Sequence, residues 1–335
     1  MVNDVTVFHL SGNSEVPLAT LLVSCPLKEY HKAAIEAVIP DWEIVFCTPS
    51  TIDMDVLSRA TVLFGYVKPE LVLKAPNLKW LQLSIAGFDR FVGIDASFRL
   101  TSAVGAYGKE VAEHLLSMTL NIIKSLHLYR DSQREHHWSS SFPKKTLENS
   151  TVMIVGTGDI GSRYARYVKM LGARTIGINR SADSDSEYFD SRYTNFELPN
   201  VIRKADIIAI TLPLSQQTEK LFDLALLECT NPNAILLNVG RGKVIDTGAL
   251  LTMLERGWFF GVGLDVVDPE PLAPDHPLWD YERVMITGHV AGNINLPETL
   301  DAVVEILLEN LARFTLGKPL KNEVDVATGS TLEPT

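Results

Sequence analysis

The run Val152-Met153-Ile154-Val155 leads directly into Gly156-Thr157-Gly158-Asp159-Ile160-Gly161. After it, Ile160, Tyr164 and Val168 keep helical spacing. An apolar strand that ends in G-x-G-x-x-G at the start of a helix restricts this part of the chain to a βαβ unit of the nucleotide-binding kind. Gly156 would permit the sharp turn, Gly158 would let a pyrophosphate approach the backbone, and Gly161 would let the helix pack close to the strand. Asp159 and Ile160 stand between them, where the N–H groups of a helix start face an anion. The competing reading is a glycine-rich strand–helix turn with no ligand.

About twenty residues further on, such a unit places an acid that holds the ribose 2′-hydroxyl. Here the next apolar run ends in Asn179-Arg180-Ser181. Asn179 cannot repel a 2′-phosphate, Arg180 can grip it, and Ser181 can donate to it. Charge-assisted hydrogen bonds contribute roughly 1.5–3 kcal/mol each. NADP is therefore the expected cofactor, with NAD possible. Two alternatives stand beside this: Arg180 as a solvated loop arginine, and Asp183 or Asp185 bending back to replace the acid.

Short β-type runs alternate with helical stretches through most of the chain, the pattern of parallel sheets covered by helices. Runs at 20–24, 42–46, 60–65 and 78–84 make a first unit. The stretch 108–137 reads as one long helix, apolar on several faces, which must be covered by another domain or subunit. A connector (139–150) follows, then six strand candidates at 151–156, 174–179, 206–213, 234–240, 261–267 and 284–289. From Pro297 an amphipathic helix runs to Gly317, and the remainder reads as a loosely ordered tail. The last helix can return to the first unit. The expected architecture is thus α/β: two Rossmann-like, doubly wound parallel-sheet domains. A flavodoxin-like substrate domain (1–101 and 292–335) would be interrupted by a dinucleotide-binding domain (102–291).

A formal charge of −11 in 335 residues argues against nucleic-acid and anionic-membrane partners, which need clustered Lys and Arg. No run reaches eighteen apolar residues, and Asp4 and Glu15 spoil a signal peptide. The three cysteines, Cys25, Cys47 and Cys229, lack C-x-x-C spacing and suggest reduced thiols in the cytoplasm. His136 and His137 are not an i, i+4 pair, so no metal is expected. Trp138 reads as a buried structural tryptophan, with a reach towards a neighbouring subunit as the alternative.

Three segments put polar residues just beyond strands of the second unit. "LLNVGRGKVID" carries Arg241, "GLDVVDPEPL" carries Asp265 and Glu270, and "VMITGHVAGN" carries His289. With "VGTGDIG", "LPLSQQTEKLF" and "HPLW", and with "LKWLQLSIAGFDRF" and "VAEH" upstream, the chain resembles the D-isomer-specific 2-hydroxyacid dehydrogenases. The resemblance spans about Leu78 to Gly317. It implies that Arg241 binds substrate, His289 is the general acid/base and Glu270 is its acidic partner. It also places Asp265 at the nicotinamide carboxamide, and Pro213, Thr218, Val239 and Gly240, with Arg241, beside the cofactor. The amides of Ile85, Ala86 and Gly87 would hold the substrate carboxylate, although a plain turn is the alternative there. Gly288 departs from the family, in which proline or serine usually precedes the histidine.

The implied chemistry is hydride transfer to a small anionic 2-oxo acid such as glyoxylate or hydroxypyruvate, giving a D-2-hydroxy acid. Charge grows on the carbonyl oxygen, a histidine delivers the proton, and an arginine fork holds carboxylate and carbonyl. The resemblance and the apolar helix together imply a homodimer. Two alternatives remain: a cofactor-sensing, corepressor-like binding protein on the same fold, and a phosphoglycerate- or formate-type dehydrogenase.

Overall fold

The structure is a computed structural model and describes residues 6–8, 19–48, 51–180 and 187–332. The strands in chain order are β1 (Thr6–Phe8), β2 (Thr20–Ser24), β3 (Glu43–Phe46), β4 (Val62–Gly65), β5 (Trp80–Gln82), β6 (Arg99–Thr101), β7 (Thr151–Val155) and β8 (Arg174–Asn179). They continue with β9 (Ser191–Thr194), β10 (Ile207–Ile210), β11 (Ile235–Asn238), β12 (Gly261–Leu264), β13 (Val284–Ile286), β14 (Glu323–Asp325) and β15 (Ser330–Leu332). Contacts divide the chain into two units, Met1–Tyr107 with Asn293–Thr335, and Gly108–Gly292.

In the first unit the sheet order is β1-β3-β2-β4-β5-β6-β14-β15. Its centre, β3-β2-β4-β5-β6, is parallel, the flavodoxin-like order. β1 joins one edge and β14 the other, both antiparallel. Every residue of β2 and β4 is buried, as expected of strands covered on both faces. The helix Pro297–Thr315 packs on helix Glu29–Val38, and Leu300, Val303, Val304, Leu307 and Leu311 give it a buried stripe at helical spacing. Gly317 ends it at φ +64°.

The tail after Gly317 is not loose over its described part. β14 pairs with β6, Arg99 forks onto Glu323 at 2.7 and 2.6 Å, and Asn310 donates to the Lys321 carbonyl at 3.0 Å. The strand is too short and too charged to announce itself by alternation.

In the second unit the order is β13-β12-β11-β10-β7-β8-β9, and all neighbours are parallel. Counted from β7, this is the dinucleotide-binding order 3-2-1-4-5-6 with one strand added. β9 lies beyond the six strands expected. Its residues Ser191–Thr194 are all half-buried on a sheet edge, which leaves little apolar signal. Val155 of β7, Ile208 and Ile210 of β10 and Leu236 of β11 join buried helix residues in one core. Replacing a fully buried isoleucine such as Ile208 by alanine costs roughly 2–5 kcal/mol.

The expected helix 108–137 is two helices, Gly108–Ile123 and Leu126–Arg134. Ser125 breaks it at φ +53°, with its hydroxyl bound to the Pro143 carbonyl at 2.6 Å. Asn121 accepts from the His127 amide at 3.0 Å, a side-chain bond that competes with helix continuation. The first helix is covered from within its own unit, by helix Asp159–Met170 and by β11 and β12. Glycines in β12 allow that approach: a Cβ on Gly261 would stand 2.5 Å from Ile122, and one on Gly263 2.9 Å from Met118. Thr119 and Tyr164 close the contact at 2.7 Å between hydroxyls, and burial pushes the Tyr164 phenol above its ordinary range. Trp138 is 95% exposed in the chain, so it is not a buried structural residue.

Candidate active site

The glycine turn follows β7, and β10 is its neighbour on the other side from β8, so the turn sits where the strand order reverses. The three glycines do three different things. Gly156 adopts φ +105°, and a Cβ there would lie 2.8 Å from the Thr211 hydroxyl. Gly161 is pressed against the turn, since its Cβ would fall 2.0 Å from the Gly156 carbonyl oxygen. Over Gly158, the N-cap of helix Asp159–Met170, a Cβ would meet nothing within 4 Å. A cradle open at Gly158, beneath a helix start, fits a pyrophosphate. Ile160 lies in the first turn, half-buried. Asp159 pairs with Arg163 at 2.6 Å, while its other oxygen is buried without a hydrogen bond and lies over Gly108.

Asn179 closes β8, and its side-chain oxygen accepts from the Arg180 amide at 2.9 Å. Arg180 is exposed at the strand end. Ser181, Asp183 and Asp185 lie outside the described residues. The Asn179 carbonyl accepts from the Asn195 amide at 3.0 Å, which ties the tips of β8 and β9 together.

Pro213 and Thr218 form the loop after β10. The Thr218 hydroxyl donates to the Pro213 carbonyl at 2.7 Å and accepts from the Ser215 amide at 2.8 Å. That hydroxyl shapes the loop. Val239 is buried. Gly240 is clasped from both sides: its Cβ would reach 2.4 Å from the Leu212 carbonyl oxygen, and its amide donates to buried Asn238 at 3.0 Å. Asn238 also donates to the Arg241 carbonyl at 3.0 Å. The half-buried Arg241 guanidinium donates to the Gly240 carbonyl at 2.7 Å. Gly242 fits under Val267, whose carbonyl oxygen would stand 1.9 Å from an added Cβ. These contacts fix the backbone of the strand end that carries Arg241.

His289 Nδ1 lies 2.8 Å from Glu270 Oε2. The other oxygen of Glu270 accepts from the Val267 amide at 3.1 Å, so the carboxylate is anchored to the segment after β12. Both side chains are partly exposed, 50% for His289 and 36% for Glu270. With Nδ1 engaged by Glu270, Nε2 is the ring atom that can give or take a proton. Asp265, 2% exposed, holds the segment on which His289 stands. It accepts from the amides of Val290 at 3.0 Å and Ala291 at 3.1 Å and from the Thr287 hydroxyl at 2.6 Å. His114 stands behind Thr287, 3.2 Å from its oxygen. Neither His114 nor Thr287 was assigned a role from sequence, since their association with Asp265 depends on the fold.

In the first unit, Ile85, Ala86 and Gly87 are half-buried after β5. The Ile85 carbonyl accepts from Ala103 at 3.0 Å, and the Ser84 carbonyl from Tyr107 at 2.6 Å. No backbone carbonyl among the described residues accepts from the amides of Ile85, Ala86 or Gly87. Among the described residues there is no group of three or more His, Cys, Asp or Glu arranged for a metal, and no helix long and apolar enough to cross a membrane.

The family model for the D-isomer specific 2-hydroxyacid dehydrogenase NAD binding domain matches residues 116–291, over half of the chain. Glyoxylate reductase from Aeropyrum pernix is 31% identical over 278 residues, covering 79% of this chain and 82% of that protein. Among solved structures, a D-isomer specific 2-hydroxyacid dehydrogenase family protein from Aeromonas salmonicida is 31% identical with a TM-score of 0.82, covering 92% of this chain and 99% of that one. The NADPH-dependent glyoxylate/hydroxypyruvate reductase of Sinorhizobium meliloti, solved with NADP and sulfate, is 25% identical with a TM-score of 0.79, over 93% and 100% of the two chains. With its glycine turn and parallel-sheet order, this chain belongs to the D-isomer specific 2-hydroxyacid dehydrogenase family and is one of its NAD(P)-dependent enzymes.

Proposed function

We propose that this enzyme reduces small 2-oxo acids, glyoxylate and hydroxypyruvate foremost, to D-2-hydroxy acids and prefers NADP to NAD. The observation that carries the reading is the 2.8 Å pairing of His289 Nδ1 with Glu270, which leaves Nε2 for the substrate oxygen. A nicotinamide cofactor held at the glycine turn would supply the hydride that the keto carbon receives. His289, protonated, delivers a proton from Nε2 to the carbonyl oxygen as charge grows there, and the neutral ring accepts it in the reverse direction. Glu270, 2.8 Å from Nδ1, fixes the ring so that Nε2 is left for the substrate oxygen. Arg241 holds the substrate carboxylate and polarises the carbonyl, which suits a planar fork of donors. The amides of Ile85, Ala86 and Gly87 belong to the same reading as carboxylate donors.

The unit Gly108–Gly292 is read as the cofactor domain, contacting the dinucleotide through Gly156, Gly158, Asp159, Ile160, Gly161, Asn179, Arg180, Pro213, Thr218, Val239, Gly240, Arg241 and Asp265. Ser181 completes that set in the reading from sequence. The other unit is read as the substrate domain. NADP preference rests on Arg180 at the end of β8 and is supported by the NADP bound to the Sinorhizobium relative. Exposed Trp138 and Leu126 support a homodimer, and the free state of Cys25, Cys47 and Cys229 fits a cytoplasmic setting. Steady-state reduction of a panel of 2-oxo acids with NADPH and NADH tests the reading. Turnover of glyoxylate or hydroxypyruvate with a clear NADPH preference is expected. Failure on the whole panel overturns the activity, and a preference for NADH overturns the cofactor assignment.

A further inference from the structure

A run of hydrogen bonds joins helix Gly108–Ile123 to the segment that carries His289. Asp265 lies at its centre with a buried carboxylate. Its backbone carbonyl accepts from the His289 amide at 2.7 Å, and its two side-chain oxygens accept from Thr287, Val290 and Ala291. Four of the five residues from 287 to 291, all but Gly288, are thus tied to a single aspartate. A buried carboxylate is tolerated only when its lone pairs are met, and here the groups that meet them belong to the catalytic segment.

The direction of the bonds follows from proton count. Thr287 has one hydroxyl proton and gives it to Asp265 Oδ1 at 2.6 Å. The imidazole of His114, 3.2 Å from the same oxygen of Thr287, must therefore donate, which places its proton on Nε2. The same nitrogen lies 3.7 Å from Asp265 Oδ1, within electrostatic reach. Donation from His114 into Thr287 strengthens the donation from Thr287 into Asp265.

The catalytic segment needs this support. His289 stands at φ +56°, a left-handed conformation that a non-glycine residue keeps only where its surroundings impose it. Gly288 supplies no stiffening, because the space its side chain would occupy is open.

We propose that His114 is a positioning residue for the reaction: through Thr287 it aims the Asp265 carboxylate, and Asp265 holds residues 289–291 so that the His289 ring meets Glu270. The inference rests on the reading of His289 as the acid/base. Loss of His114 frees the Thr287 hydroxyl and removes a positive edge from beside a buried anion. The consequence appears chiefly in the orientation of His289, because Asp265, still held by the amides of Val290 and Ala291, keeps its place on the cofactor side.

The test compares His114→Ala, His114→Gln, Thr287→Val and His289→Ala in the full-length enzyme with NADPH and glyoxylate. Glutamine can place an amide N–H near Nε2, and valine keeps the shape of Thr287 without its hydroxyl. Expected are a fall in kcat of about ten- to a hundredfold for His114→Ala and Thr287→Val, a KM for NADPH changed less than about threefold, and substantial recovery in His114→Gln. The His289 ring carbon resonance in the substrate-free enzyme should move in His114→Ala and return in His114→Gln, a readout independent of turnover. Should the alanine variant not fold, Thr287→Val and His114→Gln carry the same comparison. An unchanged kcat and resonance in His114→Ala and Thr287→Val overturns the inference, as does equal impairment by alanine and glutamine. The fourth variant separates the two readings: near-normal turnover in His289→Ala defeats the acid/base assignment itself, whereas a dead His289→Ala beside normal His114→Ala defeats only the positioning role.

Discussion

One oxygen of Glu270 meets His289 Nδ1 at 2.8 Å while the other accepts from the Val267 amide at 3.1 Å. The carboxylate is thus pinned to the backbone and orients the ring. Replacing it by an amide keeps the size and removes the charge. Glu270→Gln is expected to lower kcat by about ten- to a hundredfold, within the range of general acid/base effects, with little change in KM for NADPH. Steady-state kinetics beside a thermal melt checks this, since the partly exposed pair should affect melting little.

Arg180 stands exposed at the end of β8, where an acid would favour a ribose diol. Arg180→Ala should raise KM for NADPH about ten- to a hundredfold, the equivalent of one charge-assisted hydrogen bond, and leave KM for NADH nearly unchanged. Equal effects on both cofactors would show that Arg180 does not read the 2′-phosphate.

Gly158 and Gly161, three residues apart, should respond in different ways. Gly161→Ala drives a methyl into the Gly156 carbonyl oxygen and is expected to lower the melting temperature and the yield of folded protein. Gly158→Ala meets open space, so the fold should survive while NADPH binding weakens. Thermal melts and cofactor titration distinguish the two.

Asp301 accepts from Tyr30 at 2.7 Å and from His31 Nε2 at 2.8 Å, joining helix Pro297–Thr315 to helix Glu29–Val38. The Tyr30 hydroxyl first, and His31 second, hold its carboxyl below the usual carboxylate range. A carboxylate depressed on folding contributes stability above its unfolded pKa of about 3.9, and that contribution is lost as pH falls through the folded value. Asp301→Asn should therefore melt lower than the parent at pH 7, and the gap should close towards pH 3. A gap that persists undiminished in acid would place its cause elsewhere.

The residues that made the fold readable were those with only one use. Val152–Val155 and Ile207–Ile210 are buried along their whole length, so their apolar runs could be little else than central strands. β9 and β14 were not readable, because Ser191–Thr194 is a half-buried edge strand and Glu323–Asp325 is held between β6 and β15 by pairing and by the Arg99–Glu323 ion pair. The break at Ser125 was invisible because its cause, the Pro143 carbonyl, lies eighteen residues away. The site shows the same division. Gly156, Gly158 and Gly161 follow a local pattern, and Arg241, Glu270 and His289 follow motifs at strand ends. His114 reaches Thr287 across 173 residues, and no spacing rule anticipates that contact.

The proposed reaction depends most on His289 as the group that moves the proton. The direct measurement is kcat for NADPH-dependent reduction of glyoxylate by His289→Ala against the parent, with NADPH affinity measured separately by fluorescence titration. A loss of about 10²–10⁴-fold in kcat with affinity retained is the predicted result. A variant that turns over within a few fold of the parent would contradict it.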